Sequence, residues 1–218
     1  MKREILVINQ IKEFLKTEGT MEITEQKILH SAKKLFLTLG YHKTTMIALA
    51  NQAEVNKALI HYYFSDKETL YKIVIGEVVS EDVVLTLDSL NKDIPFYFKI
   101  KVFGDFRDLL ITKYPHLPVI LISPNEPGHQ WAIKALKDSR LNLNRFAEEI
   151  KSYIHDFPFP VKEPKAAITF LLSIAIFPYL FKDIMQLFLH VDNEQYNSDI
   201  EQHMNKLLYF IDTKPART

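Results

Sequence analysis

The sequence predicts an all-α fold. Apolar residues recur at helical spacing along most of the chain, and no stretch alternates with the two-residue period of a half-buried strand. Glycine and proline are sparse, 5 and 10 in 218 residues, and fall mostly between the periodic segments. Hydrophobic residues make up 47% and charged residues 25%, which is globular composition, and the length is enough for a sizeable core.

Residues 4–16 place Ile5, Ile8, Ile11, Phe14 and Leu15 on one helical face, so 1–22 is expected to form an amphipathic arm. Thr24 can cap the next helix, whose stripe is Ile28, Ala32, Leu35, Phe36 and Leu39 and whose stop is Gly40. A second helix follows Thr44-Thr45 and runs to about Ala53. Glu54-Val55-Asn56 makes a turn, and Asn56 can cap a short third helix over 57–64. Ser65-Asp66-Lys67-Glu68 reads as a capping box that opens a fourth helix carrying Leu70, Ile73, Val74 and Val78. Beyond it, breaks are expected near Pro95, Pro115/Pro118, Pro124–Gly128, Pro158–Pro164 and 192–197. The segments between them, about 97–113, 130–156, 164–191 and 197–212, have helical length and patterning.

Several function classes lose support at this stage. There is no cysteine, which excludes disulfides and thiolate-held zinc. The histidines after residue 110 (116, 129, 155, 190 and 203) show no i, i+4 pair of the zinc-helix kind, so no metal or cofactor is expected. No motif frames a nucleophile, and the chain is not expected to be an enzyme. The start of the chain lacks an apolar signal core, and the longest apolar run, Ala166–Phe181, is shorter than the ~20 residues of a span. A cytoplasmic protein without a membrane partner is therefore expected. Formal net charge is zero, yet residues 24–64 hold five lysines against two glutamates. Phosphate binding needs such local excess rather than a basic chain.

Three short helices within about 40 residues, the last two joined by a three-residue turn, make a helix-turn-helix. Ala50 is small enough to let the second and third helices approach, and Val55 fills the gap between them. With Ile60 and Phe64 inward, the third helix presents Asn56, Lys57, Ala58, His61 and Tyr62 outward. Such a helix can enter the major groove with its first residues at base edges.

The stretch from Thr24 to Leu70 resembles the DNA-binding domain of the TetR/AcrR family of transcriptional regulators. The residues that carry the resemblance are Ala32, Leu35, Phe36, Gly40, Tyr41, Thr44, Thr45, Leu49, Ala50, Ala53, Val55, Lys57 and the run Tyr62-Tyr63-Phe64-x-x-Lys67-Glu68-x-Leu70. The resemblance implies that Thr44 and Thr45 offer hydroxyls to a DNA phosphate, with Lys43 as a further phosphate contact. Lys57 and Ala58 would meet bases, His61 and Tyr62 phosphates, and Lys67 a phosphate at the start of the fourth helix. Two positions depart from the pattern. Glu54 stands where the family often has Gly, so it must accept a left-handed backbone or shift the turn. Leu59 stands where polar residues are common.

The resemblance further implies an arm over 1–22, a DNA-binding domain over 23–70 and a helical-bundle domain over 71–218 for effector binding and dimerisation. A homodimer through 164–191 and 197–212, with Ala167, Leu171, Ile174, Phe177 and Pro178 in the interface, would bind a palindromic DNA operator and be released by a small-molecule effector. Phe103, Phe106 and Trp131 are the expected pocket residues. The other reading of the residues is a helical ligand-binding or interaction protein that keeps a vestigial helix-turn-helix.

Overall fold

A computed structural model describes residues 23–150 and 163–212, all helical or in connecting turns. The expected arm over 1–22 and the end of the 130–156 segment lie outside these residues.

Residues 23–39 form α1, which buries Ile28, Leu29, Ala32, Phe36 and Leu37. Thr24 lies within this helix rather than capping it. Leu39, expected in the apolar stripe, is exposed, while Leu37 is buried in its place. A loop from the far half of the chain meets this end of α1, where the His116 backbone N–H donates to the Leu37 carbonyl at 2.9 Å. Gly40 ends the helix at φ +82°, with its N–H donating to the Phe36 carbonyl.

Helices α2 (Met46–Ala53) and α3 (Lys57–Phe64) follow. Then α4 (Lys67–Glu77) opens. It continues through a π-helical stretch, Val78–Val84, into α5 (Leu85–Asp88) and a closing 3₁₀ turn. This near-continuous rod buries Leu70, Tyr71, Val74, Ile75, Val78, Val79, Val83 and Leu87, and it carries the chain from the N-terminal helices into the larger helical half. Its cap is Asp66, whose carboxylate accepts the Thr69 N–H at 2.7 Å. Ser65, expected to cap it, instead ends α3 at φ +61°.

The second half contains α6 (Phe96–Asp108, prolonged by a π-helical turn), α7 (Leu117–Ile122), α8 (His129–Asp138), α9 (Asn144–Ile150), α10 (Pro164–Leu180), α11 (Lys182–Leu189) and α12 (Asn193–Asp212). Three of these correct the sequence reading. Residues 115–122 hold a short helix with proline in its first turn, where a missing N–H costs nothing. The 130–156 segment breaks after Asp138, where Arg140 takes a left-handed conformation and the Asn142 side chain accepts the Asn144 N–H. The 164–191 segment breaks at Phe181 into two helices bent by 74°. No single helix among the described residues is long and apolar enough to cross a membrane.

Helix α6 packs against α10, α5 and α12, and its buried side chains include Phe96, Val102, Phe103 and Phe106. Lys99 is buried in the same helix, and its ammonium is paired with Glu149 of α9. Without that carboxylate the buried charge would cost several kcal/mol, so the pair binds α9 to α6.

The two halves meet at a cluster of rings. Tyr71 of α4 lies 4.8 Å from Phe36, 4.8 Å from Tyr41 and 5.9 Å from Trp131 of α8, centroid to centroid. Pairs of this kind contribute about 0.5–1.5 kcal/mol each beyond the area they bury. Two glycines let the backbone close over the cluster. A Cβ on Gly40 would stand 2.7 Å from His116 Nε2, and one on Gly128 (φ +151°) would stand 2.8 Å from the Tyr71 hydroxyl. His116 is held there by Glu126, whose carboxylate lies 3.0 Å from Nε2. The Tyr71 hydroxyl is buried without a hydrogen-bond partner among the described residues. Burial, with the nearby Glu126 charge, pushes its pKa well up, so it stays a neutral phenol.

Two outcomes follow from these contacts. Gly40→Ala should lower unfolding free energy by about 1–3 kcal/mol, from the left-handed backbone and the His116 clash. In a His116→Ala background only the backbone part should remain, about 1–2 kcal/mol, measured by urea titration of all four proteins. The Asp66 carboxylate is held below the usual range by the Thr69 hydrogen bonds. A lowered folded-state pKa means the stabilisation is full above the ordinary aspartate range and is lost as pH falls through the depressed value. The stability advantage of wild type over Asp66→Asn should therefore shrink on acidification below about pH 4, as read by urea midpoints taken from pH 6 to pH 2.

Candidate nucleic-acid interface

Helix α3 is positioned from both ends. At its start, the Asn56 side-chain oxygen accepts the Ala58 N–H at 2.9 Å. At its end, the Ser65 N–H donates to the His61 carbonyl. The turn before it depends on Glu54, which takes φ +55° and ψ +42°. The left-handed backbone that Glu54 had either to accept or to avoid is thus accepted. A non-glycine residue there costs about 1–2 kcal/mol. The Val55 N–H compensates in part by donating to the Ala50 carbonyl at 3.0 Å. Ala50 is nearly buried against this turn, and Ile60 and Phe64 fix the inner face of α3.

The outer surface then collects most of the expected contact residues. Lys43, Thr45, Asn56, Lys57, Ala58, His61 and Tyr62 are all exposed, and Tyr62 is 70% accessible. Thr45 caps α2 by accepting the Ala48 N–H at 3.1 Å, which leaves its O–H proton available to an acceptor outside the protein. Asn56 likewise uses its oxygen for the cap and keeps its amide donors. Lys57 stands at the first turn of α3, where four backbone N–H groups begin the helix and favour an anion.

Three expected residues are placed differently from the others. Thr44 is fully buried, and its hydroxyl donates to the Gly40 carbonyl at 2.9 Å, so its side chain serves the α1–α2 turn. Lys67 is half-buried, with Nζ 4.1 Å from the centre of the Tyr41 ring. That burial lowers its pKa, and the cation–π contact draws the ammonium towards the ring cluster. His61 donates from Nδ1 to the Ser65 carbonyl at 2.7 Å, since a carbonyl only accepts. In the neutral ring Nε2 is then an acceptor, and it donates to a phosphate only as imidazolium.

The structure adds Ile47, 64% exposed at the start of α2, which the motif did not single out. Leu59, which departs from the pattern, is 39% exposed on α3. A groove of about 620 Å³ runs beside the Glu54 turn, lined by Lys27, His30, Lys34, Gln52 and Glu54 among others. Lys27, His30 and Lys34, at i, i+3 and i+7 spacing, would have marked this side of α1 in the sequence. The expected effector-pocket residues are not gathered in one lining. Phe103 is buried against Phe146, Phe106 is buried in α6, and Trp131 packs on Tyr71. Among the described residues no cluster of His, Asp and Glu could hold a metal ion.

Comparison with known proteins bears on the same region. The family model described as bacterial regulatory proteins, tetR family, matches residues 28–74. Over 85 residues the chain is 29% identical to the HTH-type transcriptional regulator HbdR of Aromatoleum sp. (strain CIB). That match covers 39% of this chain and 34% of HbdR, so the chain spans about a third of that relative's length. Among solved structures, a HlyIIR mutant protein aligns with a TM-score of 0.57 at 22% identity, over 89% of this chain and 100% of that one. The transcriptional regulator FadR from Bacillus subtilis, in complex with stearoyl-CoA, aligns with a TM-score of 0.55 at 16% identity, over 86% of this chain and 97% of that one. These two likenesses establish a shared fold. Residues 28–74 of the chain are thus similar to the tetR family of bacterial regulatory proteins.

Proposed function

We propose that this protein is a DNA-binding transcriptional regulator: a repressor that binds a palindromic operator as a homodimer and is released by a small-molecule effector. The observation that carries the reading is the outer face of α3, a rigidly held helix whose inner face is packed and whose outer face offers Lys57, Asn56, Ala58 and Tyr62 to a groove. Thr45 and Lys43 flank it as phosphate contacts, which set register while α3 reads bases.

Dimerisation is supported by the face of α10 and α11. Phe170, Phe177, Phe181, Ile184, Leu187 and Phe188 are 40–70% exposed there. Exposed large apolar side chains in this number on successive helices suit an interaction site. It falls within the expected segment 164–191, and a second copy of the same face would cover it. Of the residues first expected in the interface, Phe177 is exposed, whereas Ala167 is buried inside the protomer. A two-fold dimer places its recognition helices about 34–36 Å apart, one turn of duplex or a multiple.

Effector release is supported by the ring cluster. Tyr71 lies on the same helix whose start abuts α3, and it touches Trp131 and Gly128 in the larger half. An effector that displaced α8 or the 123–128 turn would move α4, and with it α3. It must bind the two arrangements unequally to shift them. FadR, which shares the fold, holds stearoyl-CoA, and an apolar effector would suit the aromatic interior around α6 and α9.

Lys57→Ala should weaken operator binding by about tenfold or more, from the loss of ~1–3 kcal/mol per recognition helix, without changing thermal stability. Gel-shift titration at fixed salt measures this, and sedimentation of the same sample should give twice the chain mass. A monomer with unchanged affinity would instead support the reading of a vestigial helix-turn-helix.

A further inference from the structure

Apolar side chains flank Tyr62 on the outer face of α3. At 3.6 residues per turn, the direction opposite the buried pair Ile60 and Phe64 falls on Tyr62, with Ala58 and Leu59 on either side. Lys57 lies at one edge, and the Tyr62 hydroxyl at the tip of its ring. The Nδ1 of His61 is committed to Ser65. Flanking Tyr62, the face presents the methyl of Ala58 on the side of Lys57 and the branched end of Leu59 on the other side, where Leu59 is 39% exposed. Leu59 therefore leaves part of an apolar side chain in water in the free protein, beside the core that takes in Ile60 completely.

A nucleic-acid partner offers few groups that could cover it. Phosphates and sugar oxygens cannot gain from contact with an isobutyl group. On the floor of the major groove the apolar group is the C5-methyl of thymine, and small or branched apolar side chains are its natural partners. We propose that Leu59 selects operator half-sites by packing against thymine C5-methyl groups. Sequence preference on that side of α3 is then set by methyl contact, while Lys57 supplies the polar reading at the helix start. The inference rests on the DNA-binding reading above and specifies what that surface recognises.

Deoxyuridine provides the test, because it keeps the Watson–Crick pair and removes only the methyl. The full-length protein is used to select sites from a random-sequence duplex library at fixed salt. Each thymine of the selected site is then replaced singly by deoxyuridine. One or two symmetry-related positions per half-site should lose about fourfold in affinity, the worth of one buried methyl, ~0.8 kcal/mol. Leu59→Ala should bind the thymine and deoxyuridine duplexes equally, with circular dichroism showing that it is folded. Should that variant not fold, the wild-type comparison decides alone. Equal affinity for both duplexes at every position would overturn the proposal, as would a methyl effect that persists in folded Leu59→Ala. Failure to enrich any sequence would overturn the DNA-binding reading and this inference with it. Enrichment without methyl dependence would overturn the inference alone.

Discussion

Tyr71 sits where four elements meet. Its ring touches Phe36 of α1, Tyr41 of the following turn and Trp131 of α8, and its hydroxyl is pressed against Gly128. Removing that ring would uncouple the N-terminal helices from the rest, because these contacts span the junction. The hydroxyl carries the cost: it is buried with no acceptor among the described residues, which is worth about 1–3 kcal/mol against the fold. The ring contacts outweigh it. Gly40 and His116 form the second half of the same junction, where the C-terminal end of α1 is closed by a backbone hydrogen bond from the opposite half.

This junction reaches the DNA-facing surface through a short path. Only Ser65 and Asp66 separate the end of α3 from the start of α4 at Lys67, so the orientation of α3 is tied to that of α4. Asp66 holds the start of α4, and Lys67 is drawn over Tyr41 towards the ring cluster. Trp131 and Gly128 are linked to α3 through Tyr71 and α4 alone in that path. In a chain of zero formal net charge, residues 24–64 carry five lysines against two glutamates, while the aromatic residues are concentrated beyond residue 70.

Much of this region was legible in the sequence because its signals are local. Thr45 and Asn56 cap their helices, Gly40 ends α1 in a left-handed conformation, and Glu54 takes the backbone that its position demanded. Local signals also misled where two neighbours could play the same part. Ser65 and Asp66 are both capping residues, and only the end of α3 decides that Ser65 turns the chain while Asp66 caps. Thr44 and Thr45 are alike in chemistry, but packing buries the first and exposes the second. In the larger half, the break at Arg140 carries no glycine or proline. The buried Lys99–Glu149 pair joins residues 50 apart, which no periodicity reveals. Nor does aromatic composition distinguish a core from a cavity, and so Phe103, Phe106 and Trp131 turned out to have different surroundings.

Entry of α3 into the major groove is read most directly by dimethyl sulfate protection on the selected duplex, which reports guanine N7 in the major groove and adenine N3 in the minor groove. Guanine N7 should be protected in two symmetric patches about one helical turn apart, opposite Lys57 of each protomer. Protection confined to adenine N3, or no protection at saturating protein, would contradict it.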